Sequence, residues 1–176
     1  MKYMKKMLLF AAPVLLAAVS APVSWSGPQT TDRGELVRRE LNKLPFITVF
    51  DRIEYEVTGD AVRLTGSVLK PWNKTDAEQL VSRIPGVSNV VNEIEVLPLS
   101  RFDNQIRLNA YRLLFNRNST LQRYRIGSNA PIRIIVRNGH LALEGFVGSE
   151  FDKRVAEILA RQVPNTFSVT NNLRIG

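Results

Sequence analysis

The sequence contains no cysteine. This absence excludes disulfide bonds, a thiolate nucleophile, a zinc site with cysteine ligands and attachment of a lipid to an N-terminal cysteine. Histidine is almost as scarce, because His140 is the only one in 176 residues. We interpret His140 as a surface residue at the start of a strand, since no second histidine accompanies it as a metal ligand or catalytic partner.

Familiar catalytic motifs are also missing. The stretch RLTGSV does not match a nucleophile elbow, and there is no glycine-rich phosphate loop. Glu93 and Glu95 alternate along one strand, and we interpret them as a solvated face rather than as a pair of acid–base carboxylates. We therefore expect a protein that is not an enzyme, with no cofactor, no metal ion and no small-molecule substrate.

A long apolar run is found at the N-terminus. Lys2, Lys5 and Lys6 precede it, residues 8–19 are apolar throughout, and small residues follow. This three-part pattern predicts a secretory signal peptide over residues 1–26, and the run is short for a membrane span. Cleavage after Ala21 and cleavage after Ser26 both remain open, and the alternative is an uncleaved anchor.

Acidic residues are outnumbered by basic ones, at 16 against 24. Removal of the signal peptide takes away three lysines and no acid, which leaves 21 − 16 = +5. We expect an exported protein of this charge to meet anionic envelope surfaces rather than nucleic acid.

The sequence repeats itself at a fixed distance. VTGDAVRLTGSV, residues 57–68, returns as VRNGHLALEGFV, residues 136–147, so the offset is 136 − 57 = 79. The same offset carries Asn92 onto Asn171 and Gly66 onto Gly145. Both pairs fall in the inward phase of strands. A position that recurs in both copies favours a role in the fold over contact with a ligand, so we expect each buried amide to hydrogen-bond backbone groups. We expect each glycine to let a helix approach the sheet closely.

The predicted elements have the same order in both copies: helix, strand, strand, helix, strand. In the first copy, Asp32 is the predicted N-cap of a helix that ends before Pro45, and a second helix is predicted over residues 75–84. In the second copy, a helix is predicted to start near Asp103, Asn138-Gly139 predicts a hairpin turn, and SEFD, residues 149–152, predicts a capping box. The fold class is α+β, with about eight extra residues between the first helix and first strand of the second copy.

These elements, the glycines of LTGSV and LEGFV, and the endings IPGVSNVVNEIEV and VPNTFSVTNNLRI resemble two tandem BON domains. We place them at residues 32–98 and 99–176. The resemblance implies that each has a three-stranded sheet with two helices on one face. It also implies a bacterial envelope protein of the periplasm, held peripherally at a membrane surface, that supports envelope integrity or a stress response such as osmotic stress. Attachment to anionic phospholipid is the function we expect, and the alternative is a protein-interaction or chaperone-like module that does not bind lipid.

Charge is distributed unevenly between the two halves. Residues 32–98 hold nine basic and eleven acidic side chains, residues 99–176 hold twelve and five, and no acid lies between Asp103 and Glu144. The first helix of the second copy has a second apolar stripe, Leu108, Tyr111 and Phe115, beside the one that faces its own sheet. Docking of the two domains within the chain would cover this stripe, and so would an anionic membrane. The predicted contact surface for an anionic partner consists of Arg107, Tyr111, Phe115, Arg117, Arg123, Tyr124 and Arg125.

Overall fold

The computed structural model describes residues 30–125 and 131–176. The predicted signal peptide, residues 1–26, lies outside the described residues. Within them, the chain forms two units, each with the order helix, strand, strand, helix, strand. The prediction of an α+β fold built from two repeated units is confirmed.

The first unit begins with helix α1, Thr30–Leu41, and its second helix is α2, Pro71–Ser82. The predicted N-cap at Asp32 is wrong, since it lies inside α1. A capping residue type locates a helix start only to within a residue or two. The predicted start of α2 at residue 75 is also late, because the helix begins at Pro71. Proline suits the first helical position, where its missing N–H would have no partner within the helix.

The sheet of the first unit has the order β1-β2-β3. Strands β1, Arg52–Thr58, and β2, Ala61–Val68, form an antiparallel hairpin. Segments β3, Asn89–Asn92, and β4, Glu95–Val96, both run parallel to β2. Leu64 faces Asn92 and Ser67 faces Glu95, an offset of 28 residues in both cases (92 − 64 and 95 − 67). Thus β3 and β4 are two parts of one edge strand, and helix α2 provides the crossover that parallel pairing requires.

The second unit repeats this arrangement. Its elements are α3, Arg101–Leu114, a 3-10 helix, Thr120–Tyr124, β5, Ile132–Arg137, β6, His140–Val147, α4, Glu150–Arg161, and β7, Ser168–Ile175. Helices α2 and α4 both have 12 residues and strands β2 and β6 both have 8, and each pair is displaced by 79 positions. Asn138 and Gly139 form the predicted hairpin turn, with φ of 50° and 82°. The 3-10 helix lies in the predicted longer connection.

Gly66 and Gly145 lie at matching positions of the central strands β2 and β6. Their φ values are +109° and +107°, a conformation that side chains disfavour. A Cβ at Gly66 would lie 2.2 Å from the backbone oxygen of Arg52, and one at Gly145 would lie 1.9 Å from that of Pro131. The predicted reason for these glycines, close approach of a helix, is therefore wrong. At Gly66 the space is occupied by the carbonyl of Arg52 in β1, and at Gly145 by the carbonyl of Pro131, the residue just before β5.

Asn92 and Asn171 make the same pair of backbone hydrogen bonds in the two units. The Nδ2 atom of Asn92 donates to the backbone oxygen of Lys74 in α2 at 2.9 Å, and its Oδ1 accepts from the amide of Ile94 at 3.2 Å. Asn171 donates to the backbone oxygen of Lys153 in α4 and accepts from the amide of Leu173 at the same two distances. Each amide therefore ties the edge strand to the crossover helix.

Each unit has its own core between the sheet and its two helices. In the first unit, the core contains Val37 of α1, Val62 and Leu64 of β2, and Val81 of α2. In the second, residues of α3, α4 and the 3-10 helix join inward residues of β5, β6 and β7 in a single cluster: Ile106, Ala110, Leu121, Ile134, Leu143, Ala156 and Leu173. Because both helices contact the same inward residues, they cover one face of each sheet.

The two units touch along the segment between α1 and β1. The amide of Ile134 in β5 donates to the backbone oxygen of Val49 at 2.9 Å, and a guanidinium nitrogen of Arg133 donates to the oxygen of Thr48 at 2.9 Å. Phe50 packs edge-on against Tyr111 of α3, with ring centroids 6.2 Å apart. Residues Thr48–Phe50 of the first unit therefore lie against β5, one of the two edge strands of the second sheet. We call this contact the seam.

Candidate interaction surface

The seven residues of the predicted contact surface do not form one surface. Arg107 and Phe115 are buried, Tyr111 and Tyr124 are half-buried, and Arg123 is exposed but paired with an acid. Among the residues that the structure describes, no acid pairs with Arg117 or Arg125, and both are exposed. Only these two of the seven remain open to an anionic partner.

Arg107 is 2% exposed, so its place in the contact surface is corrected. Its Nη2 atom donates to the backbone oxygen of Val136 at 2.6 Å. One turn earlier, the buried carboxylate of Asp103 accepts from the amides of Asn138 and Gly139 at 2.9 and 2.7 Å. Burial lowers the pKa of Arg107, and the charges of Asp103 and Asp51 oppose that shift. Asp103 and Arg107 thus attach α3 to the far end of the β5–β6 hairpin.

Tyr111 and Phe115 also turn away from solvent. Phe115 is 4% exposed, and its ring lies 5.3 Å from that of Tyr111 in an edge-on contact. Tyr111 in turn contacts Phe50 of the first unit. The second apolar stripe of α3 therefore lies mostly in the seam and the second core, and only Leu108 of this stripe is exposed.

Arg123 and Tyr124 belong to a network around the buried carboxylate of Asp152. Asp152 accepts from Arg123, from the Tyr124 hydroxyl at 2.9 Å and from the Ser149 hydroxyl at 2.7 Å, and Gly148 donates to the Tyr124 hydroxyl at 2.8 Å. Burial raises the pKa of Asp152, but these hydrogen bonds outweigh it and hold the pKa below its ordinary value. The network fastens the 3-10 helix to the start of α4, so Arg123 and Tyr124 have a structural task.

The outer side of α4 carries a surface that the sequence analysis missed. Phe151 is 64% exposed and Ile158 is 58% exposed. Arg154 and Arg161 are exposed as well. At about 100° per residue, the spacing 151, 154, 158 and 161 places all four side chains on one stripe opposite the buried Ala156 and Ala160. The helix therefore presents alternating apolar and basic groups to solvent.

The matching helix of the first unit does not have this surface. The offset of 79 carries Phe151, Arg154, Ile158 and Arg161 back onto Trp72, Thr75, Gln79 and Ser82. All four of these are exposed, but only Trp72 is a large apolar residue and none is charged. The comparison of the two helices, position by position, is the signal that would have revealed the stripe.

Helix α3 adds basic groups on the same side of the second unit. Arg101, Leu108 and Arg112 share its outer side and are exposed. Glu150 and Glu157 lie on α4 nearby, and Glu157 pairs with Arg161 at 2.7 Å, which lowers the pKa of Glu157. We call the outward residues of the two helices the helical face; it consists of Arg101, Leu108, Arg112, Phe151, Arg154, Ile158 and Arg161.

The described residues were compared with the ligand sets that hold metal ions. No group of three or more histidine, cysteine, aspartate or glutamate side chains within residues 30–125 and 131–176 is arranged to hold a metal ion. His140 is exposed, and its Nδ1 atom shares a hydrogen bond with the Ser168 hydroxyl at 2.8 Å. Across the same ranges, no helix has both the length and the apolar character needed to cross a bilayer.

Comparison with known families decides what the repeat is. The model of the BON domain matches residues 30–98 and residues 118–176, which together make up well over half of the chain. The chain belongs to the BON domain family. This is a family of non-catalytic, binding-type domains, and the tandem arrangement predicted from the sequence is confirmed. The second match begins after α3, so the family model does not cover that helix of the second unit.

Two solved structures are similar in part. One is the C-terminal domain of CdsD, a structural protein of the type III secretion system of Chlamydia trachomatis, with 14% identity, 84% of this chain covered and a TM-score of 0.32. This chain covers 66% of that structure, just under two thirds. A second CdsD structure has 11% identity, 82% of this chain and 93% of its own covered, and a TM-score of 0.29. A comparison with curated proteins finds no match.

Proposed function

We propose that this tandem BON protein is an exported, non-catalytic protein of the bacterial periplasm that attaches to anionic phospholipid surfaces and supports envelope integrity under stress. The observation that carries this function is the helical face of the second BON domain. It combines exposed Leu108, Phe151 and Ile158 with arginines on both sides. Family membership and the predicted signal peptide support the location.

The helical face has the chemistry of a helix surface that lies in a membrane interface. Apolar side chains enter the boundary between headgroups and acyl chains, and arginines contact the phosphates. Each basic residue near an anionic surface contributes about 1 kcal/mol. Because Glu150 and Glu157 offset two of the four arginines, the electrostatic gain is about 2 kcal/mol on the same scale. Attachment of this strength is peripheral, reversible and sensitive to salt.

Sedimentation with vesicles tests the proposal. The mature protein is mixed with vesicles of phosphatidylcholine alone or of phosphatidylcholine with phosphatidylglycerol, at low and at physiological ionic strength. We expect binding to the anionic vesicles only, and weaker binding at the higher ionic strength, where charges are screened beyond about 8 Å. Failure of the unmodified protein to bind anionic vesicles at low ionic strength would reject the membrane function.

The repeat supplies a matched pair of variants. Phe151→Ser with Ile158→Ser removes two of the three apolar side chains of the helical face, and Trp72→Ser with Gln79→Ser changes the same positions of the first domain. All four side chains are exposed, so we expect both variants to melt like the parent. Only the first variant should lose vesicle binding. Equal loss in both variants would show that the helical face is not the contact surface.

A second candidate function, a protein-interaction module, rests on an exposed aromatic pair. Phe102 and Phe167 have ring centroids 5.7 Å apart, and Phe167 is 70% exposed. Both rings lie over Gly139 at the hairpin turn, where a Cβ would meet Phe167 at 2.6 Å. Rigid exposed aromatics are typical anchors of protein interfaces. This candidate predicts that the unmodified protein does not sediment with vesicles of either composition, whereas vesicle binding that Phe151→Ser with Ile158→Ser abolishes would favour the membrane function.

A further inference from the structure

The first BON domain contains a groove between the outer sides of α1 and α2. Its volume is about 430 Å³, within the range of about 300–1,000 Å³ that small-molecule sites occupy. Leu36 of α1 and Leu80 of α2 line it with half-buried side chains, Pro85 lines it with an exposed one, and Ile84 reaches it from the core, with 4% of its surface exposed. Half of the lining residues are therefore apolar.

The rim of this groove is basic. Arg39, Lys43 and Arg83 stand along it with a single acid, Glu40. Lys43 donates to both carboxylate oxygens of Glu40 at 2.7 Å, so these two charges satisfy each other. Among the side chains that the structure describes, those of residues 33–125 and 131–176, neither Arg39 nor Arg83 pairs with an acid, and both are exposed. Two guanidinium groups are thus available beside an apolar groove.

An apolar groove with two available cations at its rim fits one class of ligand. An acyl chain would replace water along Leu36, Leu80 and Pro85, and an anionic headgroup would accept hydrogen bonds from the two guanidinium groups. A neutral apolar molecule would leave both arginines unused, and a free phosphate would leave the apolar lining wet. We propose that this groove binds a single-chain anionic lipid. The site is separate from the helical face and does not depend on attachment to a membrane.

The matching region of the second domain lacks part of this chemistry. The offset of 79 carries Leu80, Ile84 and Pro85 onto Leu159, Val163 and Pro164, which preserves the apolar character. It carries Arg83 onto Gln162, which has no charge. The anionic-lipid site is therefore a property of the first domain, in contrast to the helical face, which is a property of the second.

Titration below the micelle concentration tests the site. The mature protein is titrated with lysophosphatidylglycerol, with lysophosphatidylcholine and with glycerol phosphate, and amide chemical shifts are followed by NMR. We expect saturable binding of the first, at least tenfold weaker binding of the second and none of the third, with shifts centred on Leu36, Leu80 and Ile84. Equal affinity for the two lysolipids, or shifts confined to the helical face, would overturn the site.

Two sets of variants sharpen the test. Arg39→Gln with Arg83→Gln removes the available cations, and we expect the affinity for lysophosphatidylglycerol to fall at least tenfold. Arg38→Gln is the matched control, because Arg38 is an exposed neighbour already paired with Glu35, and it should bind like the parent. Unchanged affinity in the double variant would reject the proposal. Phe151→Ser with Ile158→Ser should leave this binding intact, which separates a failure of the groove from a failure of vesicle attachment.

Discussion

In both BON domains, the central strand pairs with its parallel neighbour at an offset of 28 residues, so that Leu64 faces Asn92 and Leu143 faces Asn171. On the helices that follow those strands, the outward positions have different chemistry. Trp72, Thr75, Gln79 and Ser82 are replaced by Phe151, Arg154, Ile158 and Arg161. The internal frame has been kept while the exposed surface has diverged, which is the pattern expected when two copies of one fold take different binding tasks.

The excess basic side chains of the second domain lie in two kinds of environment. Arg137 of the second domain pairs with Glu95 of the first, and Arg174 approaches Glu54 at 3.9 Å. The pair Arg52–Glu144 crosses the same boundary with the signs reversed. These side chains lie on the sheet faces that the helices do not cover, and the ion pairs link one such face to the other. Part of the arginine excess thus complements acids within the chain. Other arginines lie on the helical face and in the connection beyond α3.

The largest expected effect comes from a glycine that both domains share. Gly145→Ala should destabilise the protein by about 4 kcal/mol, because backbone strain of about 1–3 kcal/mol adds to a steric overlap of similar cost. Gly59→Ala is the control: its φ is +61°, but nothing lies within 4 Å of its Cβ position, so it should cost about 1–2 kcal/mol. Urea denaturation measures both. If the two variants are equally stable, close contact with the carbonyl group is not the reason why position 145 requires glycine.

A smaller effect is expected at the two asparagines. Asn92→Ala and Asn171→Ala should each cost about 1–3 kcal/mol, because each leaves a helix carbonyl and a strand amide without its partner. Asn172→Ala, at an exposed neighbouring position of β7, should cost almost nothing. Denaturant midpoints provide the measurement. If the two substitutions lower the free energy of unfolding by clearly different amounts, the two units are less similar in stability than their matching hydrogen bonds indicate.

The smallest effect separates the two arginines that flank Tyr124 at the end of the 3-10 helix. Arg123→Glu should lower the melting temperature at neutral pH, since it sets a second carboxylate against Asp152, whereas Arg125→Glu should leave it unchanged. The pKa of Asp152 is lower in the folded protein than its ordinary value of 3.8. The carboxylate therefore stabilises the fold above that value, and this stabilisation is lost as the pH falls through the folded pKa.

Thermal melts between pH 7 and pH 2 check this prediction. The difference between Arg123→Glu and the parent should shrink at the acid end, where Asp152 becomes protonated. A difference that stays constant over the whole range would show that the network around Asp152 does not carry the effect. A melting temperature lowered by Arg125→Glu would show that this arginine also has a structural partner.

The repeat made much of the frame predictable. A residue that returns after 79 positions in the same phase of a strand meets the same neighbours twice, so the order of elements and the backbone bonds of Asn92 and Asn171 follow from the sequence. The physical reason why positions 66 and 145 are glycine does not follow from the sequence. Strand alternation gives the direction of a missing side chain, but the sign of φ and the position of the neighbouring carbonyl depend on how the strands are paired.

The contact surface was harder to predict, because helical periodicity describes one helix at a time. From the sequence alone, Arg107 belongs to the contact surface, although the turn of the β5–β6 hairpin covers it together with Asp103. Phe115 belongs there as well, although it closes the second core. The stripe on α4 does not stand out in the sequence, because the buried side of this helix, with Ala156 and Ala160, is enough to predict a helix there. The exposed and the buried side chains of a helix can be told apart only when the elements that pack against that helix are known.

The pairing of Val49 with Ile134 has a consequence for how the chain is made. An edge strand with free backbone groups is a template on which another molecule can add a strand, and such edges promote aggregation. The first domain emerges first during synthesis, and domains generally fold in that order. When the first domain folds first, residues Thr48–Phe50 are in place as β5 forms. The carbonyl of Val49 then occupies the amide of Ile134, so a shorter part of that edge is left for pairing with another chain.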